Sequence, residues 1–169
     1  MTTQTTKKTT TKRKAPVKRV KLPPNPFLHE ILELASDQRT KAKKVDILKE
    51  YRDDSLTAVL IWNFDDRVIS AVPEGVVPYK ENEVPVGTDH TSLRREWKNL
   101  FRFIKGGADE LSSLRRETMF IQLLEGLHPK EAEIVCLVKD KNLKEKYKIT
   151  KDVVEQAFPD ITWGVNRSV

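Results

Sequence analysis

From Phe27 to Phe158 apolar residues recur every three or four positions over most of the chain, the repeat of α-helices that bury one face. The first stripe is Phe27, Leu28, Ile31, Leu32, Leu34 and Ala35. It follows Asn25-Pro26, a helix-start pair in which the asparagine side chain accepts from a free backbone N–H and the proline is already set to helical φ. The pattern predicts a helix from there to about Ser36. Asp37 or Thr40 is suited to cap a second helix reaching about Arg52, with Ala42, Val45, Ile47, Leu48 and Tyr51 inward and Arg39, Lys41, Lys43 and Lys44 outward. Asp54-Ser55 opens a third helix through Trp62, carrying Leu56, Val59, Leu60 and Ile61.

The stretch 93–127 predicts a hairpin of two amphipathic helices about which the body is arranged. Leu93, Trp97, Leu100, Phe101 and Ile104 share one helical face before Gly106-Gly107, and Leu111, Leu114, Met119, Phe120, Leu123 and Leu124 share one after it. Glycine ends a helix readily because it enters the left-handed conformation without steric cost, and Gly126 is placed to end the second helix in the same way. Arg94, Arg95, Lys98, Arg102, Lys105, Arg115 and Arg116 make the outer side basic, which reads equally as a phosphate-binding face or an ordinary solvated one. Pro129 then opens a helix from about His128 to Lys141, with Glu131 and Glu133 in its first turn and lysines at its end, as the helix dipole favours. Thr150 is expected to cap a last helix that Pro159 terminates after Phe158.

Between Phe64 and His90 the repeat disappears, and Pro73, Gly75, Pro78, Pro85 and Gly87 break any regular element except a short extended piece at Val68-Ile69. A loop of this length carries function or wraps a surface. Its acids, Asp65, Asp66, Glu74, Glu81, Glu83 and Asp89, lack the spacing of a calcium loop, so a solvated connection is the expectation. The fold class is therefore all-α: a compact bundle of about six or seven short helices, one long Pro/Gly-containing loop and a disordered basic arm. The expected divisions are the arm at 1–24, a helical domain at 25–160 and a C-terminal tail at 161–169, whose Ile161 and Trp163 are expected to pack on the body.

Charge changes this picture through its location. Residues 1–21 hold eight lysines and arginines, among them Lys12, Arg13, Lys14, Lys18 and Arg19, and no acid. The other 148 residues carry 23 basic and 25 acidic side chains, so the overall +6 belongs to the arm. Such an arm suits non-specific, salt-dependent binding of DNA or RNA, or contact with an acidic protein. Within the body, Arg39, Lys41, Lys43 and Lys44 form one further basic group, and Lys139, Lys141, Lys144, Lys146, Lys148 and Lys151 form another.

Reaction chemistry is not apparent. There is no Walker-type phosphate loop, dinucleotide fingerprint, paired-cysteine zinc spacing or nucleophile-elbow serine. His29, His90 and His128 stand apart at a helix face, a loop end and a helix cap, and lone Cys136 sits in the apolar run 134–138 as a small hydrophobe. No catalytic residue, metal or cofactor is expected. Without a bilayer-length apolar run or a signal-type N-terminus, a soluble intracellular protein is expected.

Two resemblances add to this reading. The segment 31–64, ILELASDQRTKAKKVDILKEYRDDSLTAVLIWNF, resembles the opening of the N-terminal DNA-binding domain of ATP-dependent DNA ligases of the T-even phage type, where a first helix, a lysine-rich second helix and a short third follow in this order. The segment 123–159 resembles that domain's closing half, with Lys139, Asp140 and Leu143 at its basic-Asp-x-Leu-like turn and Phe158-Pro159 at its aromatic-Pro close. The Lys-x-Asp-Gly motif of the ligase catalytic domain is absent, and the glycine-containing turn before the last helix is replaced by the lysine-rich 144–148. The body also resembles small uncharacterised proteins of T4-like marine phages, through FIKGGAD at Phe103 to Asp109 and MFIQLLEGLHP at Met119 to Pro129.

Together these readings imply a non-catalytic phage accessory protein that binds duplex DNA by its backbone, in the cytoplasm of the infected host. Its expected contacts are Lys12, Arg13, Lys14, Lys18, Arg19, Lys41, Lys43, Lys44, Arg115, Arg116, Lys141 and Lys144. The alternative is a protein-interaction or virion component that docks a phage or host protein while its arm contacts DNA or an acidic partner.

Overall fold

A computed structural model describes residues 20–85, 88 and 91–163; the arm positions Lys12, Arg13, Lys14, Lys18 and Arg19, His90 and the last six residues lie outside these. The described residues form an all-α fold of eight α-helices and one 3₁₀ segment. The helices are α1 (Leu28–Ser36), α2 (Lys41–Glu50), α3 (Asp54–Phe64), α4 (Leu93–Glu96), α5 (Ser113–Gly126), α6 (Pro129–Lys139), α7 (Leu143–Tyr147) and α8 (Lys151–Ala157). The count exceeds six or seven because α4 and α7 are single-turn pieces.

Local capping chemistry sets most helix starts. Thr40 Oγ1 accepts from the Lys43 N–H, Asp53 Oδ1 from that of Leu56, Ser112 Oγ from that of Arg115, and His128 Nδ1 from that of Lys130. Two starts differ from expectation. Helix α1 begins two residues after Pro26, with the Phe27 N–H donating to Glu30 Oε2 at 2.8 Å. Thr150 occupies the N-cap position of α8, but its buried hydroxyl finds no hydrogen-bond partner among the described residues.

The centre of the bundle is α6, which packs on α1, α3, α5 and α7 and buries Ala132, Ile134, Val135 and Val138. The 93–127 stretch is peripheral to it and is not a hairpin of two α-helices. After α4 the chain tightens into a 3₁₀ segment, Trp97–Phe103, in which side chains three apart eclipse. Trp97, Leu100 and Phe103 turn inward in this three-residue repeat, whereas Phe101, assigned to the core by a 3.6-residue repeat, is 46% exposed. Ile104 leaves the helix to pair with Ser70 in an antiparallel bridge, flanked by Ala71 N–H to Phe103 O at 2.7 Å and Lys105 N–H to Ile69 O at 2.8 Å. The extended piece expected at 68–69 thus pairs one to two residues later. Gly106 (φ +86°) turns the chain and donates its N–H to Asp109 Oδ1, while a Cβ on Gly107 would sit 2.0 Å from the Phe101 carbonyl oxygen.

The long loop is wrapped onto the helices by side chains. Lys139, 3% exposed, donates from Nζ to the carbonyls of Pro73 and Gly75 and pairs with Asp140. Further along, the Lys80 N–H donates to Glu125 and the Thr91 N–H to the Gly126 carbonyl. Lys139 is accordingly an internal clamp, although its sequence neighbourhood groups it with surface lysines.

A buried carboxylate ties distant helix starts together. Glu131, in the first turn of α6, accepts from the first N–H of α4, at Leu93, at 2.8 Å, and from the first N–H of α1, at Leu28, at 3.4 Å. Free N–H groups at helix N-termini have no internal partners and carry partial positive charge, so one carboxylate serves both. Arg94 of α4 reaches the Pro26 carbonyl and pairs with Asp53, the cap of α3. Beside this cluster the rings of His29 and His128 stack at 4.6 Å, with Phe27 against both.

Replacing Glu131 with alanine leaves two buried N–H groups without this acceptor, at about 1–3 kcal/mol each. Urea unfolding should therefore show a loss of roughly 2–6 kcal/mol, and a smaller loss for Glu131→Gln, which keeps one carbonyl oxygen. Burial, and after it the neighbouring His128, lower the His29 imidazole from 6.5 to about 4. The folded state thus holds it neutral while the unfolded chain protonates it, so its stability contribution is complete above about pH 6.5 and is lost as pH falls towards 4. Relative to His29→Phe, wild type should lose about 3 kcal/mol across that window. Parallel stability profiles for the two proteins from about pH 7 to 4 would refute this assignment.

Candidate nucleic-acid interface

Helix α2 and the α7–α8 corner bring two basic groups together. Segment 39–49 carries five basic side chains and one acid, and segment 141–151 has the same balance. The Val45 and Leu48 side of α2 is buried, and the helix packs on α1 and α8. From its flank Lys44 Nζ donates to the Lys148 carbonyl at 2.8 Å, and Lys41 pairs with Asp152 at 3.3 Å across an exposed seam. Exposed Lys43 and Lys144 belong to the same two elements, and among the described residues neither makes an ion pair.

The corner has an unusual backbone. Lys141 (φ 57°) and Lys148 (φ 50°) flank α7 in the left-handed conformation, which L side chains adopt at some cost. The lysine-rich turn therefore follows a path that glycine would take easily, with side chains added. Leu143 N–H donates to Asn63 Oδ1 at 3.1 Å, fixing this turn against the end of α3.

Other expected contact residues have different roles. Arg116 is buried, donating from Nε to the Arg102 carbonyl at 3.0 Å and from Nη2 to the Ala108 carbonyl at 2.8 Å. Its assignment to a phosphate-facing surface gives way to an internal role: the guanidinium binds the carbonyl of Arg102 in the 3₁₀ segment and that of Ala108 in the turn after it. Lys141 Nζ donates to the carbonyls of Trp62 and Asp65 at the C-terminal end of α3, a favourable place for a cation, and burial lowers its pKa. Arg115 is exposed, but α5 packs on α6 and the 3₁₀ segment, away from the α2–α8 pair. Thus the two basic segments meet at the Lys44–Lys148 and Lys41–Asp152 contacts, with Lys141 turned to α3 and Lys146 paired with Glu133 of α6, while the 93–127 group lies elsewhere. Lys148 reaches α2 through long-range packing that spacing alone does not reveal, and Lys151 Nζ lies 5.4 Å from the Trp163 ring centroid.

Burial pushes the Cys136 thiol up to about 11, so it stays protonated at neutral pH. Asp65 Oδ1 accepts from the Arg67 N–H within its own turn. A cleft of about 630 Å³ beside Trp97 contains Arg52, which is held by both oxygens of Asp160 at 2.6 Å. Among the described residues there is no cluster of three potential metal ligands, and no helix is long and apolar enough to cross a membrane.

No curated protein and no solved structure matches the chain. A family model matches residues 31–145, from within α1 to within α7, and so covers the Lys139 clamp, the 3₁₀ segment and α2, but not Lys148 or α8. The chain therefore belongs to DUF6433, a family of unknown function.

Proposed function

We propose that this protein is a non-catalytic DNA-binding accessory protein of a phage, acting in the cytoplasm of the infected host. The face formed by α2 and the α7–α8 corner would lie along duplex phosphates. The observation that carries this reading is the meeting of two basic segments at the Lys44–Lys148 contact. Contacts to phosphate position a protein without reading bases, so little sequence specificity follows. Exposed Lys43 and Lys144 are the direct contacts, Lys41 and Lys44 frame the face, and Lys141 supports it from behind. The arm adds affinity through its own charges, including Lys12, Arg13, Lys14, Lys18 and Arg19.

The phage origin rests on the resemblance carried by 103–109 and 119–129, and the comparison with a stand-alone ligase DNA-binding domain rests on 31–64 and 123–159. A second reading, docking of a phage or host protein within the virion or outside it, is favoured by fully exposed Val76 beside an apolar cleft that includes Val72, Val77 and Ile121.

Anisotropy titration of a labelled duplex at several salt concentrations tests the DNA reading. The full chain should bind, with affinity falling steeply as salt rises. Lys43→Ala combined with Lys144→Ala should lower the salt slope by about 1.8, close to 0.9 for each phosphate that is no longer neutralised. Deleting residues 1–24 should reduce affinity without erasing the effect of the pair. Absence of duplex binding by the full chain at low salt, or an unchanged slope in the double variant, would overturn this proposal.

A further inference from the structure

The 3₁₀ segment exposes a second basic surface of different character. Its three-residue repeat aligns Lys98 with Phe101, and Arg95 precedes them one turn earlier on α4. The guanidinium of Arg102 lies 5.7 Å from the Phe101 ring centroid. Among the described residues none of Arg95, Lys98, Arg102 or Lys105 forms an ion pair. Of the nearby acids, Glu96 accepts from Thr91 and Asn99 and Asp109 from the Gly106 N–H, while Glu110 is exposed beside Asp109.

Burying a guanidinium is costly unless its donors are satisfied, and Arg116 meets that condition by binding the carbonyls of Arg102 and Ala108. The Ser70–Ile104 bridge and close packing at Gly107 hold the same short segment. Buried polar interactions therefore support a half-exposed aromatic ring with Arg102 beside it, Lys98 over the neighbouring Trp97 ring, and exposed Arg95 and Lys105 on the adjoining backbone.

We propose that this surface binds single-stranded nucleic acid, with a base stacked on Phe101 and adjacent phosphates met by Lys98 and Arg102. An aromatic platform combined with a cationic track suits unpaired strands, because every base has a π-face that a duplex keeps stacked internally. This binding is independent of the duplex reading: it uses a different element and requires an exposed base.

The test measures binding of the full chain to a labelled oligothymidylate of about 20 nucleotides and to a duplex of the same length. Because the arm can bind either polyanion, the decisive comparison uses Phe101→Leu, which keeps an apolar side chain and removes the ring. The variant should lose about fivefold to 100-fold in affinity for the oligothymidylate with its salt slope unchanged, while Phe101→Trp retains binding. Lys98→Gln should instead lower the slope by about 0.7. Duplex affinity should be unaffected by Phe101→Leu. A loss below about fivefold on the single strand, an equal loss on the duplex, or no single-strand binding by wild type at low salt overturns the proposal. Failure of the duplex reading would appear separately, as insensitivity to the Lys43 and Lys144 substitutions.

Discussion

The arrangement of the bundle depends on the carboxylate of Glu131. It stands where α6 begins and accepts from the opening turns of α1 and α4, which lie 103 and 38 residues earlier in the chain. Short helices gain little from their own hydrogen bonds and need tertiary support. Here the support is a shared end: α1, α4 and α6 meet at one buried acid, and Arg94 extends the junction to the cap of α3. Apolar packing supplies the driving force, but this polar junction fixes which helix ends must coincide.

The same logic governs the chain between α3 and α4. A segment without regular structure must find partners for its backbone groups elsewhere, and helices α5 and α6 provide them through Glu125, Gly126 and Lys139. Lys139 also touches the other side of the molecule. Its own carbonyl accepts from Ser70, which accepts from Trp62, and the turn that follows it carries Lys141 to the end of α3. One helix terminus thus anchors the wrapped loop and positions the basic corner.

Local features were largely legible in the sequence. Thr40, Asp53 and His128 act within three residues of themselves, so composition and spacing suffice to locate α2, α3 and α6. Long-range features were not. The same apolar residues that suggest a 3.6-residue repeat around Phe101 wind with a three-residue repeat, and contacts at Ser70 and Arg116 accompany that winding. Arg115 and Arg116 are chemically identical neighbours, yet one faces solvent and the other lies inside, four and eight residues before Phe120 and Leu124 on the buried side of α5 and against the Arg102 and Ala108 carbonyls. Likewise, the meeting of α2 with α8 joins basic groups about a hundred residues apart, which no local pattern encodes.

The face shared by α2 and the α7–α8 corner also changes what the near-neutral body charge means. Segments 39–49 and 141–151 each have four more basic than acidic side chains, leaving the rest of residues 22–169 with 13 basic and 23 acidic ones. The body therefore carries little net charge while concentrating positive charge in these two segments. In an external field, charge spread so unevenly adds a turning force to whatever net attraction the arm's charges supply. At about 0.1 M salt that guidance acts within roughly 10 Å, close enough to turn the molecule but too short to draw it from afar.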